Sequence, residues 1–249
     1  MLKITFAGGA GKVTGSNFLI ESEKGKILVD CGLEQGRDVE QEKMYAPFPY
    51  DVPSIDALVI THAHLDHIGR CPKLMREGFK GKVYCTPPTK DLMDVMLYDS
   101  MSILSREAAK LGFKPMYDED DVHAFMSRVE ALDYHKEKEV APGLSILLRN
   151  TGHILGSASV RVQEAGGASV AVTGDIGNPS PYLDTWEPVT DADTIVMESV
   201  YGDRAHPSLE NRVPELRDTL KRAIERGGVI LMPAFSLERS QTCSTKLVI

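Results

Sequence analysis

The stretch His62-Ala63-His64-Leu65-Asp66-His67 restricts what this chain can fold into more than any other. It places three of the chain's seven histidines and one carboxylate within six positions. Immediately upstream, Ile55-Asp56-Ala57-Leu58-Val59-Ile60 is short, apolar and rich in β-branched side chains, the pattern of a buried strand. Downstream, Ile68, Leu74 and Met75 recur at roughly helical spacing and Gly78 supplies a stop, so a short helix follows. The cluster therefore lies on a strand-to-helix loop, where several side chains can converge on one point. Imidazole nitrogens and carboxylate oxygens are the ligands of zinc and related divalent ions. Without a metal, four such groups would crowd polar atoms at a strand end. At this spacing His62 and His64 can hold one ion while Asp66 and His67 face a second, an arrangement suited to hydrolysis.

The remaining ligands have to come from distant segments. His153 stands in Thr151-Gly152-His153-Ile154-Leu155-Gly156-Ser157, and Asp175 in Thr173-Gly174-Asp175-Ile176-Gly177. Each follows a glycine at the end of an expected strand, where loops carry function. His153 supplies a third histidine for the first ion, and Asp175 a carboxylate that bridges both. Asp30 closes a third candidate strand, 26–30. It is either a turn residue or a partner that steadies the metal loop, and the cluster downstream favours the second. The loop Gly8-Gly9-Ala10-Gly11-Lys12-Val13-Thr14-Gly15-Ser16 is no phosphate loop, because Phe6 and Val13 occupy positions that such a motif gives to glycine and serine or threonine. It reads instead as a tight loop that lets backbone approach a neighbouring site.

Strands are expected at 2–7, 17–21, 82–86, 144–149, 157–164 and 169–173, and a surface loop over 34–54. Leu92, Val95, Met96, Met101, Ile103 and Leu104 mark the buried face of a helix over 88–111, its methionines serving as core filler. A second helix is expected over 118–130, capped by Asp118 or Asp120. His123 and His135 fall in these helical and polar stretches and read as structural or exposed. Strands on either side of a helix-rich middle imply an α/β (α+β) chain of two facing sheets, helices outside and metals at one edge.

A length of 249 residues allows one large domain or two small ones. No segment is apolar enough to span a bilayer, and the N-terminus lacks the basic and apolar regions of a signal peptide. Four dispersed cysteines without a C-x-x-C pair read as reduced thiols of a cytoplasmic protein. The net charge of −8 opposes broad, nonspecific nucleic-acid binding. It leaves an anionic substrate open, since two bound divalent ions would make the pocket locally positive.

His62-Ala63-His64-Leu65-Asp66-His67, then His153, then Asp175, in that order, resembles the metallo-β-lactamase superfamily. Further stretches resemble its β-CASP branch of RNA-processing nucleases: 9–16, 28–32, 151–158, 173–177, Met197-Glu198-Ser199-Val200-Tyr201-Gly202-Asp203-Arg204-Ala205-His206, and 227–241. The resemblance implies an αββα sandwich over 1–208 and the beginning of an inserted α/β β-CASP domain over 209–249. It implies two zinc ions: His62, His64 and His153 on the first, Asp66 and His67 on the second, Asp175 bridging. Asp30 matches the early structural aspartate. Asp66 would orient the attacking water, and Glu198 would support a catalytic histidine. Arg204 and His206 would line the cleft near a phosphate, although Arg204 could equally be a surface ion pair. The implied activity is hydrolysis of single-stranded RNA by a zinc-dependent endonuclease of the mRNA 3′-end-processing or RNA-decay type.

This sequence departs from that pattern after His206, beyond which no histidine follows. Residues 209–226 read as a helix and 228–233 as a strand, and the polar, β-branched 241–249 lacks the apolar helix expected next. The chain is expected to be truncated within the inserted domain, with a weak second metal site, doubtful nuclease activity and exposed apolar surface that favours a homodimer. Two other functions fit the early motifs: a small-molecule thioesterase or lactonase on the same sandwich, and a non-catalytic RNA-binding pseudo-enzyme.

Overall fold

The computed structural model describes residues 1–36, 44–179, 182–205, 209–234, 237 and 240. They fall into two compact units, Met1–Glu198 and Ser199–Ile249. The first unit is built on two sheets. One holds β1 (Lys3–Gly8), β2 (Asn17–Glu21), β3 (Lys26–Val29), β4 (Ala57–Val59), β5 (Lys82–Cys85) and β6 (Val129–Ala131), in sequence order. Its first three strands form an antiparallel meander, whereas β3 to β6 run parallel. The other sheet is formed by β7 (Lys138–Ala141), β8 (Leu144–Asn150), β9 (Ala158–Glu164), β10 (Ser169–Val172) and β11 (Thr194–Val196), ordered β11-β10-β9-β8-β7. Here β11 joins β10 in parallel and the other pairs are antiparallel.

Period-two alternation explains how the sheets meet. Ile20, Ile27, Val29, Ala57 and Val59 of the first sheet share one core with Leu144, Ile146, Leu148, Val160, Val162, Val170 and Val172 of the second. Each large side chain taken out of water there contributes roughly 1.5–3 kcal/mol. The alternate residues Leu28, Leu58 and Val83 are also fully buried, as expected for parallel strands covered on both faces. Helices α1 (Leu65–Ile68), α2 (Cys71–Arg76), α3 (Pro87–Leu111) and α4 (Glu119–Met126) all lie in the crossovers of these parallel strands.

Several expectations need correction. The second helix ends at Met126 rather than 130, because Val129–Ala131 instead pairs in register with Val83–Cys85 and becomes an edge strand. Asp118 is its cap, closing a reciprocal capping box with Asp121. The buried stripe of α3 is Met93, Leu97, Ser100, Leu104 and Ala108, whereas Val95 and Ile103 face outward at 65% and 45% exposure. The helix's apolar residues spread around much of its circumference, so periodicity alone did not select the face. In the second unit, α5 (Leu209–Glu225) keeps Val213, Leu216, Leu220 and Ala223 partly buried on one side. The strand expected at 228–233 is absent: its side chains are exposed, and no strand is described in this unit to pair with it. The segment 241–249 lies outside the described residues.

The corrected face of α3 can be checked by chemical denaturation. Leu97→Ala should cost about 2–5 kcal/mol, whereas Val95→Ala should stay within about 0.5 kcal/mol of the parent.

Candidate metal centre

The site forms where the carboxyl ends of β3 and β4 meet the loops at one end of the second sheet, the usual place for a site in parallel sheets. Asp30 follows β3 and Thr61 and His62 follow β4. His64 caps α1, while Asp66 and His67 lie within it. His153 sits between β8 and β9, and Asp175 just after β10. The two sheets are joined here directly, since the Ala158 N–H donates to the Thr61 carbonyl at 2.8 Å.

Close backbone packing makes the convergence possible. A Cβ on Gly32 would lie 1.6 Å from the Asp66 carbonyl oxygen, so only glycine lets this loop pass α1. A Cβ on Gly177 would lie 1.8 Å from the Gly152 carbonyl oxygen, which holds the Asp175 loop against the His153 loop. The glycine-rich loop after β1 also reaches the site: the Ser16 N–H donates to the Asp66 carbonyl at 2.9 Å.

Asp30 is fully buried and acts as a hub. It accepts hydrogen bonds from the Thr61 N–H at 2.8 Å, the Ser16 hydroxyl at 3.0 Å and His67 Nδ1 at 2.7 Å. Thr61 Oγ1 lies 2.9 Å from Asp30 Oδ2 and 3.1 Å from His62 Nδ1. With the hydroxyl donating to Asp30, His62 Nδ1–H donates to the hydroxyl, and His62 presents a bare Nε2 to the cluster. His67, held through Nδ1 by Asp30, turns Nε2 toward Asp66 and Asp175. The sequence reading missed Thr61 and Ser157, whose hydroxyl accepts from the His153 N–H at 3.0 Å. A hydroxyl residue flanking a candidate ligand was the available signal for both.

His62 Nε2 and His153 Nε2 each lie 3.1 Å from His64 Nδ1. Asp175 Oδ2 is 3.7 Å from His62 Nε2 and 3.4 Å from His153 Nε2. These residues each offer a ligand atom within 4.8 Å of the others. Metal–nitrogen bonds of about 2.0–2.1 Å in a tetrahedron separate the ligand atoms by roughly 3.3 Å, which these spacings bracket. Three imidazoles and a carboxylate are also the right chemistry for a divalent transition ion. On the other side, Asp175 Oδ1 lies 3.3 Å from His67 Nε2, and Asp66 Oδ2 lies 3.8 Å from the same nitrogen. The structure thus brings Asp30 and all six proposed ligands together.

Charge divides the cluster. Burial, reinforced by the neighbouring imidazoles, drives His62 well below the ordinary histidine range. Burial and His153 bring His64 down to about 4. Both are neutral near pH 7, the form that binds metal. His67 moves the other way, because Asp30 and Asp175 outweigh its burial and raise it well above the usual value. Burial would raise Asp175, but the His67 hydrogen bond and the charges of His67, His153 and His64 hold it below the usual carboxylate range. Burial raises Asp66 despite His67.

The sequence profile described as the Metallo-beta-lactamase superfamily matches residues 10–227. The chain belongs to that superfamily. It is 35% identical over 246 residues to Ribonuclease TTHA0252 of Thermus thermophilus, covering 96% of this chain and 53% of the relative. It is 36% identical over 248 residues to Transcription termination factor FttA of Methanosarcina mazei, covering 96% of this chain and 38% of that one. An RNase J-like protein of Methanocaldococcus jannaschii is 31% identical over 245 residues, covering 97% and 53%. The chain therefore spans about half the length, or less, of these curated relatives. The metallo-beta-lactamase assignment and the His/Asp cluster together make this a metal-dependent site.

Glu198 ends the first unit beside this cluster. Its Oε1 accepts from the Ile176 N–H at 2.6 Å, and its carboxyl is raised by burial and by the charge of Asp175, against the pull of that N–H. It contacts no histidine among the described hydrogen bonds; its grip is on the loop that carries Asp175. Arg204 belongs to the second unit, exposed, with its guanidinium 5.1 Å from the Tyr201 ring and Nε 3.9 Å from Asp203. His206 lies outside the described residues. His123 is exposed, and so is His135, whose Nε2 lies 3.3 Å from Glu187.

Asp30→Asn keeps the size of the hub but turns an amide N–H₂ toward donors. Divalent-metal affinity, measured by competition with a chromogenic chelator, should fall by about 10- to 100-fold.

Proposed function

We propose that this chain carries a two-zinc centre that hydrolyses phosphodiester bonds of single-stranded RNA, as an endonuclease of the β-CASP branch. One observation carries the metal count: the Asp175 carboxylate turns Oδ2 toward His62 and His153 and Oδ1 toward His67. A single carboxylate spanning two donor groups supports a bridged pair of ions. The RNA substrate is supported by relatives named as ribonucleases that align with nearly this whole chain.

In this reading His62, His64 and His153 would hold one zinc and Asp66 and His67 the other, with Asp175 shared between them. The ions would lower the pKa of water toward 7 and neutralise charge on the phosphate oxygens. Asp66, beside His67, would accept a hydrogen bond from the attacking water and align it with the phosphorus. Asp30 keeps His67 oriented through Nδ1. Glu198 fixes the backbone beside Asp175 through Ile176. We assign phosphate contacts of the substrate to Arg204 and His206. The division into a metallo-β-lactamase domain over 1–208 and a β-CASP segment over 209–249 belongs to the same proposal.

No described helix is long and apolar enough to cross a membrane. Cys31, Cys71 and Cys85 are buried free thiols, which supports a reducing, cytoplasmic setting. Val229 and Leu231 stand exposed in the second unit, which supports self-association as a homodimer.

The zinc-loaded chain should cleave labelled single-stranded RNA and leave a glutathione thioester intact. Asp66→Ala should slow cleavage by about 100-fold or more while RNA affinity, read by anisotropy, stays within about twofold. Thioester turnover without RNA cleavage would overturn the assignment.

The two ions should differ in proton release. His62 and His64 are already neutral at pH 7, so these two free almost no protons when their side is filled. His67 carries a proton that its raised pKa retains at neutral pH, so filling its side releases about one. Zinc affinity for the second site should therefore rise with pH, measurable by calorimetry in buffers of different ionisation enthalpy.

A further inference from the structure

Trp186 is the chain's one tryptophan, and it stands 42% exposed. A single exposed aromatic is ordinary on a protein surface. Its mounting is not. Residues 184–187 are laced to the segment that leads into His153: Asn150 Nδ2 donates to the Asp184 and Thr185 carbonyls, each at 3.3 Å, and the Glu187 N–H donates to the Asn150 carbonyl at 2.9 Å. Gly152, the residue before His153, has φ +62, and a Cβ there would lie 2.8 Å from the Asp184 carbonyl oxygen and 3.2 Å from the Trp186 nitrogen. Glycine thus allows the strap bearing Trp186 to lie against the loop bearing a metal ligand. On that loop, two residues beyond His153, Leu155 is 59% exposed, and Tyr182 on the strap is 56% exposed. Large exposed side chains, Leu155 and Trp186, thus stand on two segments joined next to His153.

We infer that Trp186 forms a subsite that stacks an unpaired nucleobase of the substrate beside the metal centre. The inference rests on the RNA reading above and names a contact within it. Stacking suits this position for two reasons. The backbone on both sides of the indole is pinned by hydrogen bonds, so little freedom is lost on binding. The strap also carries Asp184 and Glu187, whose charges oppose a phosphate but not the neutral face of a base. Sequence selectivity should be low, since every base has a π face.

A lone tryptophan makes its own reporter. Titrating the zinc-loaded chain with hexauridylate should change the tryptophan emission with the same midpoint as the anisotropy of fluorescein-labelled hexauridylate. Trp186→Ala should weaken that affinity by at least about fivefold, and Trp186→Phe by less, with zinc content and circular dichroism as checks on folding. If hexauridylate binds while the emission stays constant, or Trp186→Ala binds as tightly as the parent, the stacking subsite is refuted and the RNA reading stands. If the parent chain binds no hexauridylate, both fall.

Discussion

The buried Asp30 carboxylate is the interaction on which the rest of the site depends. A charged oxygen pair with no exposure to water is tolerable only where donors surround it. Here the donors come from three separate segments: Ser16 of the glycine-rich loop, Thr61 after β4, and His67 of α1. Asp30 adopts φ 58, a left-handed conformation that aspartate accepts more readily than most residues. That backbone turn carries the chain off the end of β3 while its N–H still donates to the Val59 carbonyl. Removing the carboxylate would therefore loosen three segments together.

From this hub the order spreads outward through hydroxyls. Thr61 links Asp30 to His62, and Ser157 holds the backbone of His153. Thr61 thereby sets the direction in which the His62 imidazole points, whereas Ser157 anchors the backbone that carries His153. The scaffold thus turns the ring nitrogens of His62, His64 and His153 toward one another. The electrostatic asymmetry follows from the same scaffold. His62 and His64 have histidines as close neighbours and lose their protons. His67 lies between two carboxylates and keeps its own.

The two units contribute differently to function. The first contains a complete set of four donors around His64 and a second set of three that shares Asp175. The second is a helical segment with exposed apolar residues, and relatives of which the alignments cover only 53% and 38% match 96% of this chain. Metal chemistry is thus the property of the first unit, whereas substrate handling by Arg204 and His206 is assigned to the second. Trp186 changes this picture, because it puts a nucleobase contact on the first unit, next to the metal loops.

The clustering of His62, His64, Asp66 and His67 was legible in the sequence because those residues are near neighbours in the chain, although the turn of α1 rather than a loop carries Asp66 and His67. His153 and Asp175 were legible for a different reason: each follows a glycine at a strand end. Asp30 was recognisable as a candidate, but its role was open between a turn and a partner. Its hydrogen bonds join residues 14 and 37 positions apart, which no local pattern encodes. The strands at 3–8, 17–21, 26–29, 57–59, 82–85, 144–150, 158–164 and 169–172 were also read close to their bounds, whereas 129–131, 138–141 and 194–196 were missed, 228–233 forms no strand, and the buried face of α3 was misread. Met93 and Leu97 are buried and Val95 is not because neighbouring elements choose the face, and apolar residues on several sides give periodicity nothing to select. Residue chemistry and local spacing determined that a metal-binding superfamily domain would form. Only tertiary packing decided which imidazoles are neutral, which way Asp175 points its two oxygens, and where the sole tryptophan stands, because all three depend on distances between segments remote in the chain.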